Sequence, residues 1–262
     1  MRRSFYILLA IAHIIVPRLV SGQTQPANDP QAVAFAAQSI TAITGGTGIN
    51  DATLTGIVTW TIASDTETGS VTLLALGTGE SRVDLVLPNG TRTEIRDAST
   101  GTAQGKWLDQ SGASGFSAPE NCMTDAVWFF PALGSLAAGP NVVLSYIGQE
   151  SRNGGTVQHL QSYVYQTNPL GVSPSPQQLS TMDIYLDATT LLPVGVTFNA
   201  HPDDSPTIDI PIEIDFANYQ IIGGLNIPTH IQKYFQGTLI ADLAISSAAF
   251  NTGISLSSFA VN

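Results

Sequence analysis

Three histidines carry most of the acid–base and metal-binding potential of residues 23–262, namely His159, His201 and His230. His159 and His230 fall in segments where polar and apolar residues alternate, which is typical of β-strands. His201 opens an acidic turn with Asp203 and Asp204, and we interpret that turn as a solvated loop in preference to a weak cation site. Because the sequence contains neither an HExxH nor a CxxC motif, it predicts no metal site.

The sequence contains no motif that is typical of nucleophilic catalysis. No serine stands in a GxSxG pattern, and no base is tied by spacing to the flexible serines Ser111 and Ser114. Cys122 is the single cysteine and has no His, Asp or Glu partner suggested by its spacing. The carboxylates available for glycoside hydrolysis fall on polar strand faces, where solubility explains them: Asp183, Asp187, Asp209, Glu213 and Asp215. We therefore expect no catalytic residue, no enzyme activity and no cofactor.

Composition places the chain among folded, β-rich proteins. Hydrophobic residues make up 43% and charged residues 11% of the sequence, which is the opposite of the balance in disordered chains. The formal net charge is −11, so the chain lacks the basic footprint that binds phosphate backbones. We expect no nucleic-acid partner.

The N-terminal residues 1–22 match the pattern of a secretory signal peptide. Arg2 and Arg3 precede an apolar run over residues 5–16, and small or tolerated residues place the cleavage site near Gly22. A run of about a dozen residues is shorter than the roughly 20 that a spanning helix needs, which disfavours a membrane anchor. We expect an exported chain, periplasmic or secreted, without stable membrane insertion.

Hydrophobic periodicity predicts one helix followed by strands. Apolar residues recur at helical spacing over residues 30–44, behind Asn28 or Asp29 as N-cap, and Gly45 ends the segment. From Leu54 onward the period changes to two, with tight turns that favour antiparallel neighbours. We predict a mostly β (α+β) fold, a strongly curved antiparallel sheet or unclosed half-barrel of about ten strands, covered by the N-terminal helix and a central lid helix.

An apolar segment at residues 125–138 interrupts the strands and admits two interpretations. It is either a buried core helix or a lid whose apolar side closes a cavity. If helices are the only cover of the curved sheet, an apolar hollow results, and such hollows bind apolar ligands; the alternative is an interior filled by side chains. The candidate ligand-binding residues are Trp128, Phe129, Leu133 and Leu136 on the lid, and Trp60, Ile184, Ile212 and Ile214 on the strands beneath it.

Four short motifs resemble those of the periplasmic lipoprotein-carrier fold, the LolA/LolB/LppX-like superfamily. They are a strand–turn–strand with Pro88, Asn89 and Gly90 followed by Lys106 and Trp107, a D-x-x-T-x-L-P hairpin at residues 187–193, a hairpin at residues 219–233, and an ending with Phe250, Asn251 and Phe259. The carrier proper has an arginine beside a proline that holds its lid shut, whereas residues 77–79 here are Gly-Thr-Gly. We therefore assign no lid-holding arginine.

The resemblance implies a single half-barrel domain over residues 23–262 that binds a hydrophobic ligand, such as a lipid or the acyl chains of a lipoprotein, in the cell envelope. Two other functions stay open, an envelope sensor or scaffold that works through a protein partner and a hydrolase acting in the cleft. A bound ligand in the purified protein favours the first function, a protein partner and a filled interior favour the second, and turnover of ester or glycoside substrates favours the third.

We predict that a Trp128→Asp substitution reduces uptake of a hydrophobic ligand, because the new carboxylate would be buried against the apolar chain that the lid covers. Titration with a fluorescent fatty acid measures the uptake. An unchanged affinity would show that Trp128 is not part of the lid.

Overall fold

The structure is a computed structural model, and it describes residues 25–99, 104–117, 121, 141–166, 174–202 and 204–261. The expected signal peptide at residues 1–22 lies outside the described residues. The central apolar helix also lies outside them, together with its four candidate binding residues, Trp128, Phe129, Leu133 and Leu136. Those expectations stay predictions.

Among the described residues, thirteen strands form one antiparallel sheet, which confirms the mostly β prediction and exceeds the expected number of about ten strands. In chain order they are β1 (Asp51–Ile62), β2 (Asp65–Leu76), β3 (Ser81–Leu87), β4 (Gly90–Asp97), β5 (Gln104–Leu108), β6 (Ser114–Ser117), β7 (Val142–Arg152), β8 (Gly155–Val164), β9 (Met182–Asp187), β10 (Pro193–Ala200), β11 (Ile210–Ile222), β12 (Leu225–Phe235) and β13 (Thr238–Phe250). The described helices are α1 (Pro30–Thr44), α2 (Pro176–Ser180) and a short 3-10 helix (Leu256–Phe259). None of these helices has the length and apolar character that crossing a membrane requires.

The sheet consists of two meanders that join at one pairing. Strands β1 to β6 and strands β7 to β13 each follow chain order, and β1 pairs with β13 so that Trp60 lies opposite Ala241. Gly56 sits at a register shift in this pairing, where a Cβ atom would collide with the carbonyl oxygen of Ala244. Glycine is therefore required for the close approach of the two strands. The edge strands β6 and β7 do not pair with each other, which leaves the half-barrel unclosed as predicted.

Strong curvature of the sheet follows from the position of α1. This helix packs against both β7 and β12, although four strands separate those two in the sheet. In a flat sheet, five strand spacings would place β7 and β12 about 24 Å apart, roughly twice the diameter of a helix. The second meander must therefore curl around α1, and the helix covers the inner face of that meander.

Polar side chains fix both the start of α1 and its attachment to the edge of the sheet. Asp29 caps the helix, since its carboxylate accepts a hydrogen bond from the backbone N–H of Gln31 at 2.7 Å. Asn28 and Asp29 also bond to the backbone of Leu144 in β7, each at 2.9 Å. Gly45, with a φ of 61°, ends the helix where the sequence predicted.

Cross-strand pairs define a dry inner face of the sheet. One row of directly opposite residues runs from β8 to β1 and comprises Leu160, Ile184, Val196, Ile214, Lys233, Ala241 and Trp60. Every member of the row is at most 6% exposed, and Lys233 is its one charged residue. In β11 the predicted alternation is confirmed, because Ile212 and Ile214 are buried on the inner face whereas Glu213 and Asp215 lie on the outer face.

Two of the motifs that carried the resemblance form specific local structures. The carboxylate of Asp187 accepts hydrogen bonds from the backbone N–H groups of Thr189 and Thr190, at 3.0 and 2.7 Å. The hydrogen bond from Thr190 lowers the pKa of Asp187 below its ordinary value, and β10 begins at Pro193 directly after this turn. At the C-terminal motif, Asn251 accepts a hydrogen bond from the backbone N–H of Asn50 at 2.7 Å, which ties the tail to the start of β1.

We predict that the same substitution, isoleucine to alanine, has a large effect on stability at one position of β11 and almost none at another. Ile214 is fully buried, so Ile214→Ala removes core contacts and should lower the free energy of unfolding by about 2–5 kcal/mol. Ile221 is 76% exposed, and Ile221→Ala should change it by less than about 0.5 kcal/mol. Urea unfolding followed by circular dichroism measures both values. Equal effects at the two positions would show that the inner face is assigned incorrectly.

Candidate functional site

A cavity of about 390 Å³ opens on the inner face of the sheet, between β4 and β5 of the first meander and β11 to β13 of the second. Large apolar side chains form much of its wall: Trp60, Trp107, Ile212, Phe235 and Ile240. The cavity is therefore built by both meanders, and it exists only because β1 and β13 bring them together.

The strand residues that the sequence predicted as binding residues divide into two groups. Trp60 and Ile212 line the cavity. Ile184 and Ile214 are buried in the hydrophobic core beside it and are absent from its described lining. The interior thus combines a packed core with a cavity at one end. The sequence alone did not decide between a hollow interior and one filled by side chains. Ligand binding by any of these residues stays a prediction.

Charged side chains also face the cavity. The binding residues predicted from the sequence did not include them. Arg92, Glu94 and Arg96 alternate along the inner face of β4 and all three line the cavity. Lys233 projects from β12, is 6% exposed, and places its Nζ 3.2 Å from Oε2 of Glu94. This ion pair connects the first meander to the second across the hollow, since four strands separate β4 from β12 in the sheet.

A sequence signal for these charges does exist. Lys233 is in phase with the buried Ile231 and Ile227 of the same strand, so strict alternation places it on the dry face. In β4, the consecutive residues Arg92, Thr93 and Glu94 are all polar, so both faces of the strand carry polar side chains there, unlike the surrounding strands. Alternation identifies such residues as inward-facing only after the register of the strand is known.

Two tryptophans hold defined positions at the cavity. The guanidinium carbon of Arg92 lies 4.6 Å from the ring centroid of Trp60, which is a cation–π contact. Trp60 is 6% exposed, and its Nε1 is buried without a hydrogen-bond partner among the described residues. The indole of Trp107 lies over Gly115 of β6, where a Cβ atom would come within 2.8 Å of the ring. Glycine at this position therefore allows Trp107 to lie flat against the neighbouring strand.

The outer face of the sheet carries a separate polar network. His159 bonds to Asp183 and His230 bonds to Asp242, both at 2.9 Å. Within the part of the chain that the structure describes, no three His, Cys, Asp or Glu residues are grouped closely enough to hold a metal ion. These histidines lie on the face opposite the cavity, where their strands pair Tyr185 with His159 and Ala217 with His230.

Arg152 organises the acidic part of that outer network. Its guanidinium bonds to Glu213, lies 3.6 Å from Asp215, and stacks 4.0 Å above the ring of Tyr185. Burial, together with the adjacent charge of Asp215, raises the pKa of Glu213 above its ordinary value, and Arg152 opposes this rise. The pair of carboxylates is thus held by one arginine, and this arrangement faces away from the cavity.

The interpretation of His201 as part of a solvated turn is wrong. His201 is 3% exposed, and its backbone exchanges hydrogen bonds with the side chain of Asn121. Its Nδ1 lies 3.2 Å from the carbonyl oxygen of Ile208. Because the loop after β10 folds back over the imidazole, the ring is part of the packed interior.

Comparison with solved structures identifies the fold of this chain, whereas comparison of sequences finds no match. No protein-family model matches the sequence, and no curated protein matches it either. A solved domain from Vibrio parahaemolyticus, named for outer membrane lipoprotein sorting, superposes with a TM-score of 0.55 at 14% identity, over 87% of this chain and 96% of that one. A LolA superfamily protein from Nitrosomonas europaea superposes with a TM-score of 0.53 at 11% identity, over 87% of this chain and 97% of that one.

The chain has a LolA-like fold. A DUF1329 family protein from Desulfovibrio piger shares it, with a TM-score of 0.54 at 11% identity over 88% of this chain and 97% of that one. The alignments span nearly the whole length of each solved chain. At these identities the likeness concerns the path of the backbone, and the chemistry of the cavity has to be argued from its own residues.

We predict unequal costs for removing the two partners of the buried ion pair. Glu94→Gln removes the carboxylate that pairs with the buried ammonium of Lys233 and should destabilise the fold by about 3 kcal/mol. Lys233→Met replaces the buried cation with an apolar chain of similar length, and the side chain of Glu94, 31% exposed, is left hydrated. This variant should stay within about 1 kcal/mol of the wild type.

Urea unfolding at neutral pH compares these two variants directly. A loss of stability in Lys233→Met as large as that in Glu94→Gln would contradict the assignment of Lys233 as the more deeply buried charge.

Proposed function

We propose that the protein is an exported, noncatalytic binder or carrier of a hydrophobic ligand, a lipid or the acyl chains of a lipoprotein, in the cell envelope. The observation that carries this proposal is the cavity on the inner face, where Trp60, Ile212, Phe235 and Ile240 leave open space within an otherwise packed interior. Residues 23–262 act as one half-barrel domain in this proposal, after removal of the signal peptide near Gly22.

The size and walls of the cavity suit one extended apolar chain. Its volume of about 390 Å³ falls in the range of about 300–1,000 Å³ that small-molecule sites occupy. Such sites are mostly apolar with a few polar groups at defined positions, and this cavity joins aromatic and aliphatic side chains to the charged residues of β4 and β12. Burial of each methylene group of a ligand in such a site contributes about 0.8 kcal/mol.

The location of the titratable side chains supports a noncatalytic role. His159 and His230 lie on the outer face and are each engaged with a carboxylate, whereas the cavity is on the inner face. Glu94, the carboxylate of the described cavity wall, is engaged with Lys233. General acid–base catalysis needs a titratable group within reach of the substrate, and these two histidines face away from the cavity.

The fold supports the same function by analogy. One of the solved proteins that share the fold is named for outer membrane lipoprotein sorting. A carrier of this kind collects its ligand from one site and delivers it to another, so we also propose an envelope protein as its second partner. A protein that acts only as a scaffold would need no open cavity.

We predict that Phe235→Asp weakens the binding of a fluorescent fatty acid at least tenfold. Phe235 lines the cavity and is 39% exposed, so an aspartate there places a carboxylate against the apolar chain while the fold tolerates the change. Phe116→Asp is the matched control, because Phe116 is also a strand aromatic, 66% exposed, but lies outside the described cavity lining.

Equilibrium titration of both variants and the wild type measures the effect. Equal affinities of Phe235→Asp and the wild type would contradict the proposed site. A wild type that binds no fatty acid, and that instead retains a specific protein partner, would favour the scaffold function.

A further inference from the structure

We propose that the charged end of the cavity recognises an oxyanion, the carboxylate or phosphate head group of a single-chain amphiphile. This inference rests on the proposed function and specifies the class of ligand. It makes Arg92 and Trp60 the residues that bind the head group, while the apolar wall formed by Ile212, Phe235 and Ile240 receives the chain.

The charge of the cavity wall favours an anionic ligand. Three cationic residues of the described lining lie on the inner face, namely Arg92, Arg96 and Lys233, together with one carboxylate, Glu94. The chain as a whole carries a formal net charge of −11, so a cationic cavity wall is opposite in sign to the molecule. A concave site lined by one sign of charge focuses the electrostatic potential and attracts ligands of the other sign.

Arg92 forms no ion pair with any carboxylate of the described residues. Its contact in the described structure is with the face of the Trp60 ring, at 4.6 Å. Its charge adds to the hydrogen bond from Ser111 in lowering the pKa of Asp109, but Asp109 is exposed and its Oδ1 accepts hydrogen bonds within its own turn. A guanidinium stacked through its face keeps its edge N–H groups for a bidentate oxyanion.

The indole N–H of Trp60 is a second feature of this end of the cavity. It is buried and makes no hydrogen bond with any described residue. Buried N–H groups nearly always have a partner, and leaving one without a partner costs about 1–3 kcal/mol. Because Trp60 lines the cavity and contacts Arg92, an oxyanion bound to Arg92 would lie next to the indole, and a small shift of the ring would let this N–H donate to it.

These observations also explain why the site should reject an uncharged amphiphile. A neutral head group would fill the space beside Arg92 and remove water from the guanidinium without supplying a countercharge. A bound oxyanion compensates the same desolvation with charge-assisted hydrogen bonds. The discrimination therefore arises at the head group, and the apolar wall contributes equally to both ligands.

The test compares three ligands with the same chain, namely laurate, lauryl phosphate and lauryl alcohol, by isothermal titration calorimetry at pH 8 and low salt. The wild type should bind laurate or lauryl phosphate about 10- to 100-fold more tightly than lauryl alcohol. Raising the salt concentration should reduce this preference. The stronger of the two anions identifies the head group as a carboxylate or a phosphate.

Arg92→Gln should reduce the preference for the anion about tenfold, because it weakens anion binding and removes the desolvation cost that a neutral head group incurs. Arg82→Gln is the matched control. Arg82 belongs to the neighbouring strand β3, pairs with Asp84 on the outer face, and lies outside the described cavity lining. This control should keep the wild-type preference.

The outcomes separate this inference from the proposed function. Equal affinities of the wild type for laurate, lauryl phosphate and lauryl alcohol would overturn the inference and leave the hydrophobic binding function standing. A preference that Arg92→Gln keeps in full would overturn the role of Arg92. Failure of all three ligands to bind would overturn the proposed function together with the inference.

Discussion

The pairing of β1 with β13 is the interaction on which the rest of the structure depends. Each meander alone would expose an apolar face to water, and the pairing directs both faces toward one interior. It requires strands far apart in sequence to approach closely, which Gly56 permits by presenting no Cβ toward Ala244. The cavity follows from the same pairing, because Trp60 comes from the first meander and Ile212 from the second.

A buried ion pair stands at the cavity in this dry interior. Burial of an ion pair is often neutral for stability or worse, so Lys233 and Glu94 need an explanation beyond the strength of their contact. They connect the two meanders across the hollow and stand beside Arg92, whose guanidinium stacks on Trp60. All of these charged residues line the open space of the cavity.

Short sequence patterns predicted much of this fold. The features that depend on contacts between residues far apart in the sequence could not be predicted. Alternating hydrophobicity predicted most strands, and the side chain of Asp187 forms the turn that its motif implied. Pro211 shows the opposite case, because β11 is an interior strand that tolerates proline near its beginning. The short strand β6 lacks an alternating apolar pattern, because Gly115 packs under Trp107 instead of contributing an apolar side chain. The cavity depends on register and curvature, which local sequence does not encode.

Native mass spectrometry of the mature protein purified from its own host, followed by solvent extraction, shows whether the protein carries a hydrophobic ligand. We expect a mass above that of the chain, which extraction removes, and an extract that contains an acyl chain with an acidic head group. A mass equal to that of the bare chain, together with no uptake of a fluorescent fatty acid, would contradict the account. The inner face would then be a core that folds the protein and binds no ligand.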